Sequence, residues 1–165
     1  MILKKIETAL NKQMNQELHA AYIYLSMSAY FESLNLDGFS HWMRLQAQEE
    51  LTHSMKLFDY IISRDGNVEL TAVKAPPKSW SSPLAAVQDA LKSERLNTKQ
   101  INDIVETAFS AKDHATRVFL QWFVNEQVEE EASATKLVEK VKQVKDDSGA
   151  TFILDQELST RTLVE

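Results

Sequence analysis

The chain has 165 residues, of which 44% are apolar and 25% are charged, and its formal net charge is −6. These values fit one folded domain and exclude a disordered chain, a fibre, and non-specific binding to nucleic acid or to an anionic membrane. Only 3 glycines and 3 prolines occur, against about 12 and about 8 at average usage, so an all-β fold with many turns is disfavoured. Cysteine is absent, which excludes disulfides and thiolate metal sites.

The N-terminal sequence has no signal-peptide pattern, and no stretch of apolar residues is long enough to span a membrane. We therefore expect a cytoplasmic protein. Long segments without glycine or proline predict four helices and a short fifth, near 5–34, 38–65, 83–111, 114–146 and 151–160. The expected helix boundaries are a turn at 35–38, a helix-ending glycine at Gly66, N-caps at Ser82 and Asp113, and a helix end at 147–149.

The connections between these helices predict the topology. The first and third connections are short, so each joins two antiparallel helices. The middle connection, 66–82, can reach about 56 Å when extended, whereas a helix of about 28 residues is about 42 Å long. It is therefore predicted to cross the full length of the bundle and to make the second and third helices parallel.

Each long helix carries a stripe of residues, three and four apart, that is apolar at both ends and polar in the middle. The central residues recur with a shift of 77 positions, so that Glu17, Glu50 and His53 correspond to Glu94, Gln127 and Glu130, and Glu49 corresponds to Glu126. We interpret this recurrence as a pseudo-repeat of two helical hairpins. It predicts that all the equivalent side chains lie at one level of the bundle.

Burial of several carboxylates at one level requires a counter-charge, because an isolated buried carboxylate is very costly. The stripes offer no lysine or arginine near this level, so a multivalent cation is the simplest solution. Oxygen-rich ligands with a single imidazole suit a hard or borderline metal such as iron or manganese.

Four sequence features resemble the bacterial non-haem ferritins, and the resemblance covers essentially the whole chain. They are the segments AQEELTHSMKLFDYI, FLQWFVNEQVEEE and FILDQELST, and the isolated Glu94. The resemblance implies an all-α, ferritin-like four-helix bundle with one long crossover and a short fifth C-terminal helix, in a single di-iron domain spanning 1–165. Gln127 stands where rubrerythrins, di-iron oxygenases and bacterioferritin have the glutamate of a second Glu-x-x-His motif, which favours a true ferritin.

The same resemblance implies roles for individual residues. The iron pair would be held by Glu17, Glu50, His53, Glu94 and Glu130, with Glu50 bridging and Gln127 contributing a hydrogen bond. A third iron site would use Glu49, Glu126 and Glu129, sharing Glu130, although such an acidic run is also typical of a solvated surface. Tyr24 would supply an electron to the iron pair, or it is simply a packed core residue.

The implied function is iron storage with ferroxidase activity, in which Fe(II) is oxidised by dioxygen and stored as a mineral, without haem. A di-iron peroxidase or oxygenase and a metal-free helical scaffold are the alternatives. The implied assembly is a homo-oligomeric shell of twenty-four subunits, with no nucleic-acid or membrane partner. The fifth helix would then meet symmetry mates at fourfold axes, or else pack on its own bundle.

Overall fold

The computed structural model describes residues 2–163, in which the regular secondary structure is entirely helical. The helices are α1 (Lys4–Ser33), α2 (Asp37–Ser63), α3 (Pro83–Ser110), α4 (His114–Val144) and α5 (Ser148–Leu158). The predicted all-α fold is confirmed, and the predicted helix ends agree to within three residues. Within the described residues, none of these helices combines the length and apolar character needed to cross a bilayer.

Side-chain caps fix the starts of three helices. Ser82, Asp113 and Asp147 each accept a hydrogen bond from the backbone N–H three residues further on, at 3.1, 3.1 and 2.9 Å. The predicted caps at Ser82 and Asp113 are therefore confirmed. The prediction for 147–149 is wrong, because α4 already ends at Val144 and these residues begin α5.

Three helices end on a left-handed residue that is not glycine. These residues are Asn35, Asp65 and Lys112, with φ of 56°, 55° and 55°. The prediction that Gly66 ends α2 in this conformation is wrong, since Asp65 adopts it and the Gly66 N–H then donates to the Ile61 carbonyl at 2.9 Å. Glycine is needed at 66 for space, because a Cβ there would lie 2.9 Å from Cγ2 of Ile61 and 3.0 Å from Cγ2 of Ile2.

Contacts between helices give their directions. Ser54 donates to the Met14 carbonyl and Ser28 bonds to Ser40, at 3.1 and 2.8 Å, so α1 and α2 are antiparallel. Tyr60 bonds to Thr116 and Gln46 to Glu130, at 3.0 and 2.9 Å, so α2 and α4 are antiparallel as well. Because α3 returns to α4 through only three residues, α2 and α3 run parallel, as the sequence predicted.

The connection between α2 and α3 follows α1 from its beginning towards its end. Side chains of α1 donate to its backbone oxygens in order: Asn11 to Asn67, Asn15 to Glu69 and Ser26 to Pro77. The long link is thus an ordered crossover, which places the start of α3 at the same end of the bundle as the start of α2.

The apolar core has two separate parts. The first, here the Phe31 cluster, contains Tyr24, Phe31 and Phe39 together with Leu154 and Leu158 of α5. The second, the Phe123 cluster, contains Ile6, Leu10, Leu57, Ile61 and Phe123. The polar residues at the middle of the four stripes lie between these clusters, as their spacing predicted.

Helix α5 packs on its own bundle, against α2 and α4. Leu154 and Leu158 are buried there, and the Asp155 carboxylate accepts a hydrogen bond from the Phe39 N–H at 3.0 Å. Of the two alternatives for the fifth helix, packing on its own bundle therefore holds for Leu154 and Leu158. Phe152 and Ile153, in contrast, are 63% and 70% exposed and point away from the subunit.

Candidate metal centre

The buried polar layer is built by all four long helices. Its members share a position at the middle of a stripe, and they are Glu17 from α1, Glu50 and His53 from α2, Glu94 from α3, and Gln127 and Glu130 from α4. All six side chains are buried. Because the surrounding stripe residues are apolar, the packing of the two clusters on either side forces these groups together.

Glu17, Glu50 and His53 present ligand atoms that all lie within 4.8 Å of one another. His53 Nδ1 is 3.4 Å from Glu50 Oε2. Both carboxylate oxygens of Glu50 and Nδ1 of His53 are buried without a hydrogen-bond partner among the described residues. Buried polar atoms are nearly always paired, so this group has the geometry of a cation site.

A second group with the same spacing shares His53. It contains Glu126 and Glu130, and His53 Nε2 lies 4.0 Å from Glu126 Oε1. Glu130 is held by Gln46, whose Nε2 donates to Oε2 at 2.9 Å. His53 therefore stands between two sets of carboxylates, which is the arrangement expected for adjacent metal positions.

Glu94 lies in the same layer but belongs to neither group. The Tyr24 hydroxyl donates to Glu94 Oε1. Gln127 Nε2 donates to the Glu94 carbonyl at 3.2 Å and to Oε2 at 3.4 Å. Two predicted site residues, Tyr24 and Gln127, thus hold a third one, and the carboxylate of Glu94 keeps lone pairs that these hydrogen bonds do not use.

Buried amides that sequence reasoning missed hold Glu17. Gln13 Nε2 donates to Oε1 at 2.9 Å and Asn97 Nδ2 donates to Oε2 at 3.0 Å. Gln13 also donates to Asn97, and Asn97 donates to Gln127 at 3.4 Å. Their one signal in the sequence is spacing, because each lies one helical turn from a predicted ligand, Glu17 or Glu94.

Burial dominates the electrostatics of this layer. It raises the pKa of Glu17 above the ordinary value, that of Glu50 well above it, that of Glu94 to about 7 and that of Glu130 to about 8. Burial, helped by Lys56, lowers the pKa of His53 to about 4. The layer therefore lacks its own cation, and a bound metal ion would supply the charge that keeps these carboxylates ionised.

The acidic residues predicted for a third site lie at the edge of this layer. Burial, followed by the charges of Glu129 and Glu49, raises the pKa of Glu126, so Glu126 lies close to both of these carboxylates. Glu129 is exposed. Glu49 is paired with Arg161, whose Nη2 donates to Oε2 at 2.7 Å. Arg161 follows α5 and lies outside the four stripes, so the periodicity of the long helices does not indicate it.

The outer side of His53 is covered by Trp122, whose ring meets the imidazole edge-on with centroids 5.4 Å apart. Trp122 is partly exposed, and the Lys56 ammonium lies 4.3 Å from its ring centre.

Comparisons with known proteins agree with this architecture. A family model described as a ferritin-like domain matches residues 7–144. The chain is 40% identical over 161 residues to a bacterial non-heme ferritin of Bacteroides fragilis, covering 98% of this chain and 100% of that one. It is 39% identical over 165 residues to a bacterial non-heme ferritin of Staphylococcus aureus, with 100% and 99% covered. Among solved structures, an open pore ferritin from the archaeon Archaeoglobus fulgidus has a TM-score of 0.97 at 52% identity, with 98% and 100% covered.

Proposed function

This chain belongs to the ferritin family, whose members store iron, and we propose that it oxidises Fe(II) with dioxygen at the buried polar layer before storing it. The observation that carries this proposal is the set of unpartnered buried atoms on Glu50 and His53. An acidic cluster that served only as structure would have these atoms hydrogen-bonded. A cationic substrate gives them partners.

The proposed reaction is a two-electron step shared by two substrate ions. Each of two Fe(II) ions loses one electron, and one dioxygen takes up both electrons and two protons to give hydrogen peroxide. Hard anionic carboxylates stabilise the higher charge of Fe(III), which makes the oxidation more favourable. The chain thus supplies ligands and a water-poor environment, while iron and dioxygen supply the electrons and the acceptor.

We assign the substrate ligands as follows: Glu17, Glu50 and His53 for one iron, with Glu94, Glu130 and a bridging Glu50 for the other. The position of His53 near Glu126 and Glu130 supports adjacent metal positions. Gln127 is proposed to hold a water or an oxygen species by hydrogen bond. Tyr24 is proposed as a separate one-electron donor that takes no part in the two-electron step above, and its contact with Glu94 supports a position beside the iron pair.

A third iron position at Glu49, Glu126 and Glu129, sharing Glu130, belongs to the same proposal. Its support is the effect of burial and of the nearby Glu129 and Glu49 charges on the pKa of Glu126, together with the group of His53, Glu126 and Glu130. Storage requires a closed compartment, and we propose one di-iron domain per chain and a homo-oligomeric shell of twenty-four subunits. The cytoplasmic location stays a prediction.

The test is the Glu50→Ala variant, with Glu106→Ala as the matched control because Glu106 is an exposed glutamate on α3. Replacing Glu50 removes the bridge between both irons, so fast Fe(II) oxidation should fall at least tenfold, while the protein should still fold because a buried charge has been removed. Stopped-flow absorbance after mixing Fe(II) with oxygenated protein measures the initial rate. An initial rate in the variant equal to that of the control would disprove the assignment.

A further inference from the structure

Arg161 leaves the end of α5 and reaches back to α2. Its Nη2 donates to Glu49 Oε2 at 2.7 Å and its Nη1 donates to the Trp42 carbonyl at 3.4 Å. The guanidinium lies 4.5 Å from the centre of the Trp42 ring, and the Arg161 carbonyl is 2.8 Å from His41 Nε2. Because the arginine and glutamate side chains are only 21% and 16% exposed, this pair is a fixed contact rather than a loose surface ion pair.

The docking of α5 determines where Arg161 lies. Leu154 and Leu158 are buried in the Phe31 cluster, and Asp155 is bound to the first turn of α2 through the Phe39 N–H. Gly38 allows this contact, because a Cβ there would lie only 1.7 Å from the Asp155 carbonyl oxygen. Because α5 is anchored in this way, the short segment that follows it places the positive charge of Arg161 beside the middle of α2.

The glutamate held by Arg161 is part of the acidic edge of the metal layer. Burial is the main cause that raises the pKa of Glu126, and the charge of Glu49 adds to it, so Glu49 lies close to Glu126. The Arg161 guanidinium occupies one of the carboxylate oxygens that a cation at this edge would use.

We propose that Arg161 is the resident counter-ion of the third iron site and weakens the affinity of that site for Fe(II). The inference rests on the proposed function, since it takes Glu49 to be a ligand of the third iron. A cation that binds Glu49 must displace the guanidinium or share the carboxylate with it. The third site is consequently weaker than its carboxylates alone would make it, and it releases its iron more readily.

The experiment is anaerobic Fe(II) titration calorimetry on the assembled metal-free protein. Arg161→Ala should tighten the weakest class of Fe(II) sites about tenfold, the scale of one hydrogen bond to a charged group, and should leave the tight pair unchanged. Arg161→Gln keeps a hydrogen-bond donor and most of the contact with Trp42 but removes the charge, so it should tighten the same sites. Arg44→Ala is the control, because Arg44 is an arginine of α2 that lies 3.9 Å from Glu32 and is not bonded to Glu49.

The outcomes separate this inference from the proposed function. If Glu49→Gln removes the weak sites but neither Arg161 variant tightens them, the role of Arg161 is disproved and the third site stands. If Glu49→Gln leaves the number of bound Fe(II) ions unchanged, the third site itself is wrong and the inference fails with it. If Arg161→Ala tightens the sites and Arg161→Gln does not, the positive charge is not the cause and the proposal is overturned. In a Glu49→Gln background, Arg161→Gln should have no effect on the remaining Fe(II) sites.

Discussion

Glu94 and Glu130 are acids that the fold holds partly protonated near neutral pH. Burial is the main cause, and it raises the pKa of Glu94 to about 7 and that of Glu130 to about 8. In the unfolded chain a glutamate titrates near pH 4.3. Between about pH 4 and pH 8 these two glutamates therefore bind more protons in the folded protein than in the unfolded chain, so their contribution to the free energy of unfolding falls as the pH rises.

The expected result is that the metal-free protein has a lower unfolding temperature at pH 8 than at pH 6. Zn²⁺, which has no redox chemistry, should reverse this loss at pH 8 by neutralising the same carboxylates. Calorimetric melting curves at fixed protein concentration measure both effects. Glu130→Gln should show a smaller fall than the wild type, and an unfolding temperature that does not change over this range would contradict the explanation.

The ligand candidates could be predicted at the residue scale because buried charge is rare. Glu17, Glu50, His53 and Glu130 interrupt apolar stripes, and the structure buries and groups them. The hydrogen-bond partners of these residues could not be predicted in the same way. Gln13 and Asn97 are neutral amides, and whether each one bonds to Glu17 depends on its side-chain rotamer. The spacing of residues along a helix does not specify that rotamer.

At the scale of the helix, two glycines that are each the second residue of a helix have opposite requirements. A Cβ at Gly38 would lie 1.7 Å from the Asp155 carbonyl oxygen, whereas a Cβ at Gly149 would meet only Asp147 Oδ1, at 3.4 Å. Gly38→Ala should therefore push α5 off α2 and cost about 1–3 kcal/mol or more of unfolding free energy. Gly149→Ala should be neutral or stabilise by up to about 1 kcal/mol, since alanine favours a helix. Chemical denaturation of both variants measures the difference, and equal stabilities would disprove the close packing.

The starts of α3 and α4 were predictable from sequence, whereas the start of α5 and the exact helix ends were not. An N-cap requires a particular side chain, and Ser82 and Asp113 provide it. A left-handed C-terminal residue only prefers glycine, and here Asn35, Asp65 and Lys112 adopt that conformation. The residue after each of them donates its backbone N–H to a carbonyl in the last turn of the helix, which compensates for the less favourable conformation. Without a glycine at these positions, the sequence did not indicate the residue at which each helix ends.

At the scale of the molecule, the pseudo-repeat explains why the layer forms at all. The shift of 77 residues places equivalent side chains on two hairpins, and the ordered crossover along α1 sets the second hairpin beside the first. The four stripes include only residues of the two repeated hairpins. Arg161 lies outside it, in a segment whose position depends on how α5 docks, so its contact with Glu49 required the structure.

Phe152 and Ile153 are the residues of α5 through which we propose that the subunit contacts its neighbours in the shell. They are exposed on the side of α5 that faces away from its own bundle, while Leu154 and Leu158 are already buried. Full burial of a Phe or Ile side chain contributes about 1.5–3 kcal/mol, so Phe152→Ser with Ile153→Ser should weaken the shell without disturbing the Fe(II)-oxidising layer. Gln156→Ser, an exposed polar change on the same helix, is the control.

Deleting the whole helix would be a poorer test, because it also removes the contacts of Asp155 with Phe39 and of Arg161 with Glu49. Light scattering should show a lower particle mass for the double variant with an unchanged initial oxidation rate, and full particle mass would show that α5 does not hold the shell together.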